Sequence, residues 1–256
     1  MRKSIFVLFL FGLLSVSALG SDLKSGEDVV SAMYKKYAGK WYKTLTFVQK
    51  TVHHQPDGST TAETWYEAMT VPGKLRIDFA DSTTGDGVLF ADGQIYSYRD
   101  GKPATGRAFV HPLLVLGFDV YAQPVATTIK QVKDMGIDLA SIYEEKWQGR
   151  DVYVIGAKQG DLNVPQVWID KKNLYFVRLI QLGGRDKKSV QETQFNKYEK
   201  AKGGWVSVEV KFFTDGKIVT TEEYSDVQAD IALDRDLWNP EKWSTADRTY
   251  YKKKSK

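Results

Sequence analysis

Few residues in this 256-residue chain could do acid–base or metal chemistry: His53, His54 and His111, and the neighbouring acids Glu144-Glu145 and Glu222-Glu223. An imidazole titrates near neutrality and is the commonest metal ligand, and two carboxyls can divide the work of acid and base. Both roles require the groups to converge on one point. His53 and His54 are adjacent on a predicted strand, where successive side chains leave from opposite faces, so that geometry does not let them share a metal. His111 precedes Pro112 and starts a helix. Each acid pair also straddles a strand, which a solvated face accounts for. There is no cysteine, which excludes disulfides, thiolate metal sites and cysteine nucleophiles. No Gly-x-Ser-x-Gly elbow, P-loop, dinucleotide fingerprint or His-Glu-x-x-His is present. The sequence argues against an enzyme, and it predicts no catalytic residue, no cofactor and no metal site.

The elements around these residues are mostly strands. A first helix is predicted from Val30, Met33, Tyr34 and Tyr37, one apolar face, with Gly39 as its stop. The period then changes to alternation, giving strands over 45–52 and 62–69 across the turn Gln55-Pro56-Asp57-Gly58. Leu75, Ile77 and Phe79 alternate with Lys74, Arg76 and Asp78, which reads as one buried face and one wet face. Asp92-Gly93 is a two-residue hairpin signal, because both residues tolerate positive φ. A break of roughly 30 residues follows, in which Pro112 and Pro124 each open a helix and Gly136 stops the second. Strands resume over 152–157, 164–170, 174–182, 190–198, 205–214 and 218–227. The fold class is α+β and mostly antiparallel β, with about 11 to 13 strands joined mainly by hairpins.

Composition narrows the partners. The formal charge of +4 is mixed evenly with acids and leaves no nucleic-acid footprint. Arg2 and Lys3, the apolar run over 5–11 and the small residues Ser17, Ala18 and Gly20 make a secretory signal peptide over 1–20. Cleavage there leaves a side-chain excess of about two positive charges. A single domain is expected over 21–243. A basic, flexible tail is expected over 244–256, where Arg248, Lys252, Lys253, Lys254 and Lys256 interleave with Tyr250 and Tyr251. Such a tail either frays in solvent or touches an anionic membrane transiently. An exported protein in the periplasm is the predicted localisation.

The predicted binding residues are apolar. Two helical pieces must cover one face of a large sheet; if they cover it incompletely, that face becomes a cavity. The candidate lining is Leu75, Ile77, Phe79 and Leu89 from the sheet, with Leu113, Leu114, Leu116 and Phe118 from the insert. The alternative is that the same residues form a dry core.

Four segments, in order, resemble the LolA/LolB-like superfamily of periplasmic lipoprotein carriers. They are Thr46-Phe47-Val48-Gln49-Lys50, similar to a Phe-x-Gln-Lys strand; Pro72-Gly73-Lys74-Leu75-Arg76-Ile77; the hairpin from Gly87 to Tyr98 around Asp92-Gly93; and Val167-Trp168-Ile169-Asp170-Lys171-Lys172-Asn173-Leu174 with Val177-Arg178. The resemblance spans nearly the whole mature chain. It implies a curved, incomplete β-barrel of about 11 strands, with helices covering a concave apolar face, and a cavity that takes acyl chains in carrier members. It implies neither cofactor nor catalytic residue. The partners it implies are lipid or lipoprotein acyl chains, with an envelope protein as donor or acceptor.

The pattern departs at Val71, where the carriers have an arginine linked to ligand release, and at Leu237-Trp238-Asn239-Pro240-Glu241-Lys242-Trp243. The expected function is therefore a carrier-like protein for a lipid, acyl chains or another apolar ligand, with lipoprotein sorting as one form of it. The rival is a periplasmic interaction or envelope-sensing domain on the same scaffold with its cavity filled.

Overall fold

The computed structural model describes residues 23–80 and 85–251. The predicted signal peptide and Lys252, Lys253, Lys254 and Lys256 lie outside the described residues. Helix α1 (Gly26–Tyr37) comes first, and the Ser25 side chain caps it by accepting from the Asp28 amide at 3.1 Å. A run of hairpins follows: β1 (Thr44–His54), β2 (Thr60–Thr70), β3 (Lys74–Phe79), β4 (Gly87–Ala91), β5 (Gln94–Arg99), β6 (Lys102–Pro103) and β7 (Arg107–Ala108). The insert is α2 (Pro112–Gly117) and α3 (Val125–Asp134), joined by a 3₁₀ turn at Asp119–Tyr121. A second run completes the chain: β8 (Ile142–Trp147), β9 (Arg150–Ile155), β10 (Gln166–Asp170), β11 (Phe176–Gly183), β12 (Ser189–Ala201), β13 (Gly204–Thr214) and β14 (Lys217–Ala229). No helix among the described residues is long and apolar enough to cross a membrane.

The described strands form one antiparallel sheet of 14, more than expected, in the order β6-β5-β4-β3-β2-β1-β14-β13-β12-β11-β10-β9-β8, with β7 also on β5. Strands of two residues such as β6 and β7 leave no periodicity in the sequence to read. The order is two meanders, and they meet where the first strand pairs with the last. Leu45 lies opposite Ala229 and Val52 opposite Thr221. The sheet is not closed, and the insert joins its two edges. Asp-Gly turns drive the hairpins, with Asp92 at φ 51° and Gly93 at 74°, and Asp215 at 50° and Gly216 at 76°.

Helix α1 buries Val29, Val30, Met33 and Tyr37 in the main core. It approaches β9 so closely that a Cβ on Gly26 would sit 2.5 Å from the Ile155 side chain. Trp41 stacks on Tyr121 of the insert at 3.8 Å, and Tyr37 meets the same ring edge-on at 5.2 Å. The helices thus pack on one another and on the concave face.

The convex face of β2–β5 corrects two expectations. Arg76 and Asp78, expected on a wet face, are 0% and 1% exposed. The chain returns over them after β14: Trp243 stacks on Tyr98 at 3.9 Å, and the Arg76 guanidinium lies 3.6 Å from its ring centre. Arg76 donates to both Asp78 carboxylate oxygens at 2.8 Å. Instead of fraying from residue 244, the chain continues over this face to residue 251. Arg248 Nη1 and Tyr250 Oη each reach Asp78 at 3.2 Å, and Tyr251 packs on Tyr66.

Candidate functional site

Strand alternation sets which side chains enter the concave face. On β3 these are Leu75, Ile77 and Phe79; they lie opposite Met69, Glu67 and Trp65 of β2, and Leu75 and Ile77 lie opposite Phe90 and Val88 of β4. Helices cover one end of the stripe, and its side chains pass from buried at Leu75 to partly exposed at Ile77 and Phe79. Leu75 is buried against the main core and Ile77 is half-buried at its margin. Phe79 is half-buried beyond that core, its ring 4.7 Å from Trp65.

Of the sequence-predicted residues, Leu75, Leu114, Leu116 and Phe118 meet in the main core, with Ile77 and Leu113 packed against it. Phe79 extends the same face. Leu89 does not join them. It lies opposite Arg76 and belongs to the convex cluster with Ala91, Tyr98 and Trp243. The run Val88-Leu89-Phe90-Ala91 is apolar on both faces because both faces are covered, so it gives no phase from which to choose.

Polar groups that the sequence reading missed or placed in solvent also enter this face. Glu67 shares the phase of Trp65 and Met69 and is 5% exposed. Burial pushes its carboxyl well above the usual carboxylate range, and the nearby Glu222 adds to this. Glu222, read as part of a solvated pair, is half-buried on the same face; burial pushes it up to about 7. Tyr224 Oη donates to it at 2.9 Å, while the Tyr224 ring stacks on Phe47 at 4.2 Å. Glu223 is exposed on the other face. The signal available for Glu67 was an acid in the apolar phase of a strand. At the rim, His53 pairs with Glu63 at 2.9 Å and His54 with Thr221 at 3.0 Å, so the two histidines do part to opposite faces. No three such ligands converge on a metal position among the described residues.

Two cavities border these layers. One of about 170 Å³ lies beneath the insert between Phe90, His111, Leu114 and Asp119. There Asp119 accepts from the Gly73 amide at 2.9 Å, and burial pushes its carboxyl up to about 7. His111 caps α2, its Nδ1 accepting from the Leu113 amide at 3.2 Å, and burial pulls the imidazole down to about 4. The larger, about 690 Å³, lies between Thr46, Val48 and Gln228 of the central strands and the returning chain at Ile231, Leu233 and Tyr250. Asp226, Asp234 and Asp247 also line it, and none of the predicted lining residues does.

No family model matches the chain, and no curated protein matches its sequence. Solved structures do. A domain named for outer membrane lipoprotein sorting from Vibrio parahaemolyticus superposes with a TM-score of 0.58 at 14% identity, covering 86% of this chain and 98% of that one. A DUF1329 family protein from Desulfovibrio piger gives 0.55 at 15% identity, over 83% and 95% of the two chains. A LolA superfamily protein from Nitrosomonas europaea gives 0.51 at 10% identity, over 78% and 92%. An open, largely antiparallel sheet packed with helices is thus the fold this chain has in common with these three proteins.

Proposed function

We propose that the chain is an exported, carrier-like protein that holds a lipid, an acyl chain or a similar apolar ligand on the open part of its concave face. The observation behind this reading is the change along β3, from Leu75 buried in the main core to Ile77 and Phe79, both partly exposed, with Trp65 beside Phe79. A monomer that leaves aromatic and aliphatic groups half-covered in a concavity has prepared a surface for an apolar partner. Of the predicted lining, Ile77, Phe79 and Leu113 are the accessible members. The larger convex cavity suits an acyl chain less, because three carboxylates border it. The basic, apolar leader supports export to the periplasm, and the likeness to a lipoprotein-sorting domain supports lipoprotein acyl chains as one form of ligand. Val71, at the carriers' arginine position, weighs against that form.

The rival reading, a protein-interaction or envelope-sensing domain, draws on one observation: Leu75, Leu114, Leu116 and Phe118 are buried together in the main core, with only Leu114 of the four bordering the cavity of about 170 Å³. The test is lipid extraction and mass spectrometry of protein purified from its native compartment, together with uptake of an environment-sensitive acyl probe. Co-purifying acyl species and probe uptake weakened by Phe79→Ala are expected. No extractable lipid and no uptake would leave the interaction domain as the reading.

A further inference from the structure

The two acids on the concave face are not equivalent. Glu222 accepts from Tyr224 Oη at 2.9 Å and from the Gln49 side chain. Glu67 has no such shell. Its cross-strand neighbours are Phe47 on β1 and Ile77 on β3. No described residue donates a hydrogen bond to it, and the charged group acting on it is Glu222, of like sign. Only 5% of Glu67 is exposed. The side-chain oxygens of Glu67 are not among the fully enclosed atoms left without a partner, so they keep a little accessible surface through which a donor can reach them.

This chain supplies partners where a buried acid is purely structural. Asp78, equally buried on the convex face, is held by Arg76, Arg248 and Tyr250. Glu67 is left open instead, in the register where Ile77, Phe79 and Trp65 become accessible. Burial works against the ionised form of Glu67, and at a site otherwise lined by apolar groups a positively charged hydrogen-bond donor, attached to something apolar, would favour that form.

We propose that Glu67, backed by Glu222, receives the ammonium head of an amphiphilic ligand, whose chain lies over Ile77, Phe79 and Trp65. The inference rests on reading the concave face as an apolar-ligand site and adds the sign of the head group. An ammonium has three N–H donors, enough to serve Glu67 and still reach the oxygens of Glu222 or Tyr224. A hydroxyl could donate but would bring no charge to offset the burial, and a carboxylate would add a third acid to a face that already disfavours ionising two.

The test uses the delipidated full chain, with the neutral fluorescent probe prodan displaced by three amphiphiles of one chain length. n-Decylammonium is expected to displace it at a concentration about tenfold below n-decanol, with n-decanoate the weakest of the three. In Glu67→Gln the ammonium-to-alcohol ratio is expected to fall to within about threefold; Glu222→Gln, which keeps Glu67, should lower the same ratio by less. Equal displacement by ammonium and alcohol in the wild type, or an ammonium advantage that survives Glu67→Gln, would overturn the head-group inference and leave the apolar site standing. If prodan itself does not bind, the concave-site reading fails and the head-group inference fails with it.

Discussion

Replacing Trp243 by alanine tests the returning C-terminal segment most directly. The indole is 2% exposed; it lies nearly parallel to Tyr98 at 3.9 Å, and its Nε1 donates to the Gly85 carbonyl at 2.9 Å. The floor beneath it cannot rise to fill the gap. Gly87 is there, so close that a Cβ would lie 2.7 Å from the ring, and its own backbone is fixed in the ladder with β3 and β5. Truncating a buried aromatic costs about 3–5 kcal/mol where the surroundings cannot collapse. The buried Arg76–Asp78 pair adds little, because water admitted through the gap would solvate charges that the ring had covered. The expected loss is thus about 4 kcal/mol, a large part of the roughly 5–15 kcal/mol that holds an ordinary domain folded. Urea unfolding followed by circular dichroism measures it as a fall in midpoint at constant slope. A loss below about 1.5 kcal/mol would refute the argument, since a merely peripheral segment would give that result.

Removing residues 244–256 takes Arg248 and Tyr250 from Asp78 and is expected to lower stability by about 1–3 kcal/mol; an unchanged melting temperature would restore the loose tail expected from the sequence. Leu114→Ala, at a buried position that borders the cavity of about 170 Å³, is expected to cost about 2–4 kcal/mol by urea unfolding, and a cost under about 1 kcal/mol would show a loosely held lid instead. Asp119 holds its proton more tightly folded than unfolded, so stability present below pH 4 is lost as pH rises to about 7. The stability of Asp119→Asn relative to wild type should therefore improve by on the order of 2–4 kcal/mol between pH 4 and pH 8. His111 acts in the opposite sense, since its lowered pKa gains stability as pH rises from about 4 to its unfolded value, but both proteins carry it and it cancels in the comparison. A flat difference would show that Asp119 is solvated.

Local signals in the sequence were enough to locate most strands and the helical insert. Asp92-Gly93 and Asp215-Gly216 turn the chain where their left-handed φ values allow, and Pro112 and Gly136 bound helices for reasons internal to a few residues. What the sequence concealed came from distant parts of the chain. Arg76 and Asp78 look wet until Trp243, more than 160 residues later, is laid on them. Alternation points Leu89 to the concave face only if one side of the sheet is wet, which fails where the sheet is covered on both. Glu67 and Glu222 look solvated in the sequence because acids on strands usually face water. Their burial depends on β2, β1 and β14 being side by side, a pairing that alternation within one strand cannot reveal.

The junction of the two meanders has a consequence for how the chain is made. Strand β1 can form its hairpin with β2 early, yet its other edge waits for β14, the last of the described strands to be synthesised. Until then the chain presents an 11-residue edge with one row of amide and carbonyl groups unpaired, a template for any passing strand. Closing that seam joins residues about as far apart in sequence as the domain allows, which makes it slow. Pairing of β14 with β1 is what removes that edge from the finished sheet.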